Sequence, residues 1–277
     1  MTHHDIIIAI YTHFIGKLSD HAIPINLRPP SLVGTTQDDP FDSWVGSELK
    51  QALPSLEVVH SGKLTTPDLI IRDPKHGTIV GLEVKKLIQK PNGADPRGLT
   101  LDYNSSIPCG QALIKIGPDT VAIPCFCLFC LLAPDSSRIV TMILMDGDFL
   151  NYDLNLYKEA KVANISEYHH GPYGEGSVRH RSMYTYPNPL NSKLSFFHLK
   201  KILVIKKFDA ERRNIAEQAT HLIRRDDIYG NNFHYLIIDL TDSAIEGDIP
   251  LLTDIFKACK ARKPRARTAS MPRLEAI

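Results

Sequence analysis

A chain of 277 residues, 43% hydrophobic and 23% charged, has the composition of a soluble globular protein that can bury its own core without covalent staples. Five cysteines, an odd number, and an N-terminus without a basic leader argue against a disulfide framework and a signal peptide, so the expected location is the cytoplasm. The formal net charge of +1 conceals an uneven spread: "KLSFFHLKKILVIKKFDAERR" is rich in bases and "KACKARKPRARTASMPR" contains no acid, which makes local positive fields available to an anionic partner.

In chain order, Ile6, Ile7, Ile10, Phe14 and Leu18 recur at helical spacing and predict an amphipathic first helix. Its apolar run breaks between Tyr11 and His13, too soon for a membrane span, so no membrane partner is expected. A loop rich in Pro, Asp and Thr leads to a second helix over about residues 40–53. Asp39 can cap it, Pro40 suits its first turn, Asp42 sits three past the cap and Pro54 ends it. Trp44, Val45, Leu49, Ala52 and Leu53 form the apolar side, with Glu48 at its edge as a candidate functional residue.

Short apolar runs at "LEVVHSGK", "PDLIIRD" and "TIVGLEVKKLI" then predict strands, the last two joined by the turn "DPKHG". A polar loop, "NGADPRGLTLDYNSSIPCGQAL", precedes long β-rich segments at "VAIPCFCLFCLLA" and "RIVTMILMDGDFL". A loop with Gly, Tyr and His, "YHHGPYGEGSVRHRSMYTYPNP", separates these from a strand at "KILVIKK". A helix at "AERRNIAEQATHLIRR", a strand at "FHYLIIDL" and a short helix near "IPLLTDIFKACK" follow. The order of elements suggests an α/β or α+β architecture, and residues 261–277 read as a solvated basic tail.

The predicted hairpin carries charges that strand interiors disfavour. Residues two apart on a strand share a face, so Glu83 and Lys85 project together while Leu82 and Val84 enter the core. If "PDLII" pairs with "GLEVK", Asp68 sits beside Glu83 on that face, and two neighbouring carboxylates repel unless something neutralises them. A divalent cation does so: Asp68 and Glu83, with the Val84 carbonyl as a further ligand, offer the hard oxygens that suit Mg²⁺, and Lys85 falls within reach of a metal-bound water and a phosphate oxygen. The bland reading is an exposed hairpin in which Glu83 and Lys85 form an ion pair of little energetic weight.

"PD" at Pro67 and Asp68, a spacer with a turn, then "EVK" at Glu83 to Lys85 resembles the signature of the PD-(D/E)xK nuclease superfamily, over about residues 39–133. The resemblance implies a restriction-endonuclease-like core, a central mixed sheet flanked by helices, with Glu48 matching the acidic residue that many members carry on the preceding helix. It implies a Mg²⁺-dependent endonuclease, and the chain's size, without a helicase or ATPase motif, fits a type II restriction endonuclease best. On this reading residues 1–260 form one endonuclease domain, with a catalytic core at about 39–150 and DNA-contact elements at 151–260. The catalytic set is Asp68, Glu83, Lys85 and Glu48; the metal set is Asp68, Glu83 and Val84. Expected partners are double-stranded DNA, a second copy in a homodimer matched to a palindromic site, and a DNA methyltransferase as genetic partner rather than subunit.

Other constellations carry two readings each. Cys125, Cys127 and Cys130 include a CxxC, but their apolar setting and the strand alternation favour buried structural cysteines over zinc ligands. His169, His170, Arg179, His180 and Arg181 lie on a Gly- and Tyr-rich loop that reads as DNA groove contacts or as solvated surface, while a histidine-metal nuclease site is disfavoured because no carboxylate or Asn accompanies the histidines in a recognisable order. Asn104, Ser105 and Ser106 can donate to phosphates or base edges, or simply cap the next segment. The basic stretches 200–213 and 257–267 can neutralise phosphates or form solvated faces. Two rival functions remain: a repair or recombination nuclease with a structure-specific substrate, and a non-catalytic DNA-binding protein of the same fold.

Overall fold

Helix α1 (His3–Gly16) opens on a capping box in which Thr2 Oγ1 accepts from the Asp5 N–H while the Asp5 carboxylate accepts from the Thr2 N–H. The computed structural model describes residues 1–29, 32–33, 36–37, 40–61, 66–92, 99–102, 110–151, 182–185, 199–226 and 232–241. Helix α1 buries Ile6, Ile7, Ile10, Tyr11 and Phe14, the stripe expected from their spacing. Short strands β1 (Ile23–Pro24), β2 (Leu32–Val33) and β3 (Thr36–Gln37) lead to helix α2 (Pro40–Ala52), which buries Phe41, Val45, Gly46 and Leu49.

The strands that follow are β4 (Glu57–His60), β5 (Leu69–Asp73), β6 (Thr78–Ile88), β7 (Leu99–Asp102), β8 (Gln111–Ile116), β9 (Asp119–Leu132) and β10 (Arg138–Asp146). After the short helix α3 (Asp148–Asn151) come β11 (Ser182–Thr185), β12 (Lys201–Lys206), helix α4 (Lys207–Glu211), β13 (Ala219–Asp226) and β14 (Asn232–Ile238). Ten of these strands build one mixed sheet whose main path runs β13-β14-β12-β10-β9-β6-β5-β4, with β1 beside β10 and β8 beside β9. The β6–β9 and β10–β12 pairs are parallel and the others antiparallel. The fold is therefore α+β, with a large mixed sheet and few helices among the described residues. None of those helices is long and apolar enough to cross a membrane.

Helices α1 and α2 cover one face of this sheet. Their apolar stripes form a single core with Leu69 and Ile71 of β5, Val80, Leu82 and Val84 of β6, Phe126, Leu128 and Cys130 of β9, and Met142 and Leu144 of β10. The central strands are apolar on both sides, and residues pointing the other way, such as Phe129, Ile143 and Val204, are equally buried. That is why β9 reads as an unbroken apolar run. Pro124, which has no N–H, stands where β9 changes partner from β8 to β6.

Two expectations are corrected. The helix predicted over residues 210–225 is instead the end of α4, a 3-10 turn (Ala216–Gln218) and strand β13. From Ala219 to Arg224 exposure alternates residue by residue, as on an edge strand, and β14 supplies the ladder partner that overrides the helical propensity of the flanking charges. The stretch read as a polar loop before β9 contains β7 and the start of β8; β7 pairs with β11 across a long sequence separation, and β11 lies in the other predicted loop, so neither β7 nor β11 is visible from local pattern.

Gly46 shows how closely α2 packs on the sheet edge. A Cβ there would lie 2.5 Å from His60 Nε2, 2.6 Å from His60 Cε1 and 3.3 Å from Leu69 Cδ2. His60 is exposed and its ring can swing outward, while alanine in a helix gains up to about 1 kcal/mol over glycine. Gly46→Ala is accordingly expected to leave the thermal midpoint within a few degrees of the parent, as read by circular dichroism.

Candidate active site

Strands β5 and β6 pair with Leu69 opposite Leu82. The ladder ends at this pair, and the next residue on each strand sets Asp68 beside Glu83. Leu69, Leu82 and Val84 belong to the core face under the helices, so Asp68, Glu83 and Lys85 project to the opposite face. There the three charged groups meet. Lys85 Nζ lies 2.5 Å from Glu83 Oε1 and 3.5 Å from Asp68 Oδ2. The Glu83 side chain is 3% exposed, whereas those of Asp68 and Lys85 are 21% and 22% exposed.

The Asp68 carboxylate takes over at the end of the ladder. Val84 donates its N–H to Asp68 Oδ2 at 2.8 Å, so a side-chain carboxylate replaces the next main-chain acceptor. In an extended strand a residue's N–H and C=O point to the same flank, so the Val84 carbonyl also faces the β5 side. Two carboxylates thus converge beside the Val84 carbonyl, a donor set of hard oxygens of the kind that holds Mg²⁺ together with waters. Among the described residues, no group of three or more His, Cys, Asp or Glu side chains is placed to hold a metal ion. The set is therefore a two-carboxylate one.

Gly81 holds this end of the hairpin together. A Cβ on it would lie 2.7 Å from Pro67 Cγ and 3.1 Å from Pro67 Cβ, so the absence of a side chain is what lets the proline ring settle against β6. On the other flank β9 sets Cys125 beside Gly81 and Cys127 beside Glu83. Cys125, Cys127 and Cys130 are buried and form no disulfide with one another, and the Cys125 thiol is pushed far up by burial, with Cys127, Glu83 and Asp68 adding to the effect. Neutral, buried thiols of this kind pack rather than react.

Electrostatics define what Lys85 can do. Burial pushes its pKa down, but the charges of Glu83 and Asp68, the hydrogen bond to Glu83 and the more distant Asp42 outweigh that and hold it above the ordinary lysine range. Its charged form is thereby favoured, which suits Lys85 to stabilising negative charge rather than to removing a proton. His60, at the end of β4, is held towards its neutral form by burial and by Lys50, partly opposed by Asp68.

The structure brings together Asp68, Glu83, Lys85 and the flank of Val84. Glu48 lies elsewhere in the contact network: its carboxylate pairs with Lys17 and, at 3.4 Å, with His13, both on α1. The α2 acid whose charge reaches Lys85 is Asp42. Helical periodicity carried that signal, because Asp42 lies about two turns before the fully buried Leu49 and so on the same side of the helix, half-buried. The basic stretch 200–213 is partly internal: Lys201 is buried and donates to the carbonyls of His21 and Leu199, Lys206 pairs with Asp148, and Arg213 pairs with Asp5 at 2.5 Å. Asn104, Ser105, Ser106, His169, His170, Arg179, His180, Arg181 and the stretch 257–267 lie outside the described residues.

Compared with protein-family models, curated proteins and solved structures, the chain matches none.

Proposed function

We propose that this chain is a Mg²⁺-dependent endonuclease of the type II restriction kind, hydrolysing both strands of duplex DNA at a short sequence as a homodimer and leaving 5′-phosphate ends. The observation that carries the reading is the meeting of Asp68 and Glu83 across adjacent strands with Lys85 two residues along the same face. The order helix, three-stranded antiparallel meander, then a strand parallel to the third, seen in α2, β4-β5-β6 and β9, accords with the core that the resemblance implies.

Asp68, Glu83 and the Val84 carbonyl would hold the cation, which when bound supplies Lewis acidity at the scissile phosphate and an acidified water. The chain's own contributions are positional and electrostatic. The Val84 N–H fixes one oxygen of Asp68, so that the carboxylate does not have to be ordered at the moment of reaction. Lys85, whose charged form its two carboxylate neighbours favour, is placed to meet the negative charge that builds on the phosphoryl oxygens.

The test is digestion of a large unmethylated DNA by purified protein, with Mg²⁺ and with EDTA. Discrete fragments only in Mg²⁺ are the expected result. A smear would replace sequence specificity with a nonspecific or structure-directed nuclease, and DNA that is bound but intact in Mg²⁺ would sink the enzymatic reading.

A further inference from the structure

We infer that Lys85 is the resting counterion of the Asp68–Glu83 pair, occupies the space that a divalent cation needs, and is released towards a phosphate when that cation enters. The inference rests on the proposed metal site and adds to it an order of events and a coupling between metal and nucleic acid.

The ammonium sits between the two carboxylates, 2.5 Å from Glu83 Oε1 and 3.5 Å from Asp68 Oδ2. A carboxylate as buried as Glu83 requires a positive partner, and Lys85 supplies it from the same strand face. A dication drawn to the same oxygens would meet a like charge at contact distance, so the two cannot share the space. Lysine is the cation built to move: its charge is a compact point on a flexible four-carbon stem, and here the side chain keeps a fifth of its surface open to solvent. The β5–β6 ladder ends at the Leu69–Leu82 pair, one residue short of Glu83, so main-chain pairing with β5 does not extend to Lys85. Once displaced, the ammonium leaves one anionic pair and needs another anion. A DNA phosphate is the anion that the proposed substrate provides. By linkage, phosphate binding then favours metal binding and the reverse holds equally.

The experiment is a titration of Mn²⁺ into the full-length protein, followed by the free-Mn²⁺ electron paramagnetic resonance signal, for the parent, Lys85→Met and Lys85→Arg. Without DNA, Lys85→Met should bind Mn²⁺ about tenfold or more tightly than the parent, since a competing charge has gone, and Lys85→Arg should not. In Ca²⁺, a duplex DNA should tighten cation binding to the parent and fail to do so in Lys85→Met. Equal or weaker Mn²⁺ binding by Lys85→Met would overturn the counterion role while leaving the metal site standing. Absence of binding by all three proteins would overturn both. A readout needing no substitution is acetic anhydride labelling of the parent, with peptides quantified by mass spectrometry. Lys85 labelling should rise on addition of Ca²⁺, and unchanged labelling under a saturating cation would overturn the inference.

Discussion

Cleavage by Lys85→Ala is expected to fall about 10²–10³-fold in kcat, the loss seen when one preorganised donor to a developing anion is removed. The prediction follows from charge rather than basicity. Two carboxylates and the hydrogen bond to Glu83 keep Lys85 protonated, with its pKa above the ordinary range despite burial. A group whose folded pKa is raised contributes stability that is fully present below its unfolded value, near 10.4, and loses it only as pH climbs through the higher folded value. The alkaline limb of the parent's rate profile should therefore show no Lys85 inflection below about pH 10. An inflection at pH 8 to 9 that vanishes in Lys85→Ala would show the lysine acting as a base.

The same substitution separates a catalytic cation from a merely structural one. Removing Lys85 leaves the almost fully buried Glu83 facing Asp68, and breaking a buried pair in this way costs about 3 kcal/mol. In EDTA the variant should melt well below the parent. If a cation binds the same oxygens, Mg²⁺ should restore most of that loss, because a ligand that binds only the native state stabilises it by mass action. A melting deficit that persists unchanged in saturating Mg²⁺ would return the hairpin to the status of an ordinary ion pair.

Gly81→Ala is the second large effect. The added methyl would stand 2.7 Å from Pro67 Cγ and 3.1 Å from Pro67 Cβ, and a proline ring has no rotamer by which to retreat. Overpacking of this kind costs about 1–3 kcal/mol. The displacement falls on the residue next to Asp68, so activity should suffer more than stability: a shift of about 1 Å in a positioned ligand can cost about 10²-fold in rate. Rate measurements at a temperature well below both melting transitions isolate the geometric part. A Gly81→Ala protein with parental melting and parental cleavage would remove Gly81 from the design of the site. The contrast with Gly46→Ala is instructive, since both glycines face contacts well under van der Waals distance. At Gly46 the neighbour is the tip of an exposed histidine, which can yield, and at Gly81 it is a ring fused to the backbone.

Much of the local structure was legible in the amino-acid order. The apolar spacing of α1, the proline and acid at the start of α2, and the two β-branched runs around "DPKHG" are local signals, and each element arises where those signals stand. The face shared by Glu83 and Lys85 is equally local, because strand periodicity alone puts residues two apart on one side. What pattern could not supply is whatever depends on a partner distant in the chain. The helix-like charge content of "AERRNIAEQATHLIRR" gives way to strand β13 because β14 offers a ladder, and β7 and β11 exist only because they find each other.

For the site, the sequence by itself determined which side chains can carry the chemistry and which of them must share a face of β6. Tertiary structure alone decided the rest, since register is a property of two strands together. It set Asp68 beside Glu83, seated the Pro67 ring against Gly81, and engaged Glu48 with Lys17 while leaving Asp42 as an α2 acid that Lys85 feels. Charges act through space and backbone pairing acts between strands, so neither can be read one residue after another.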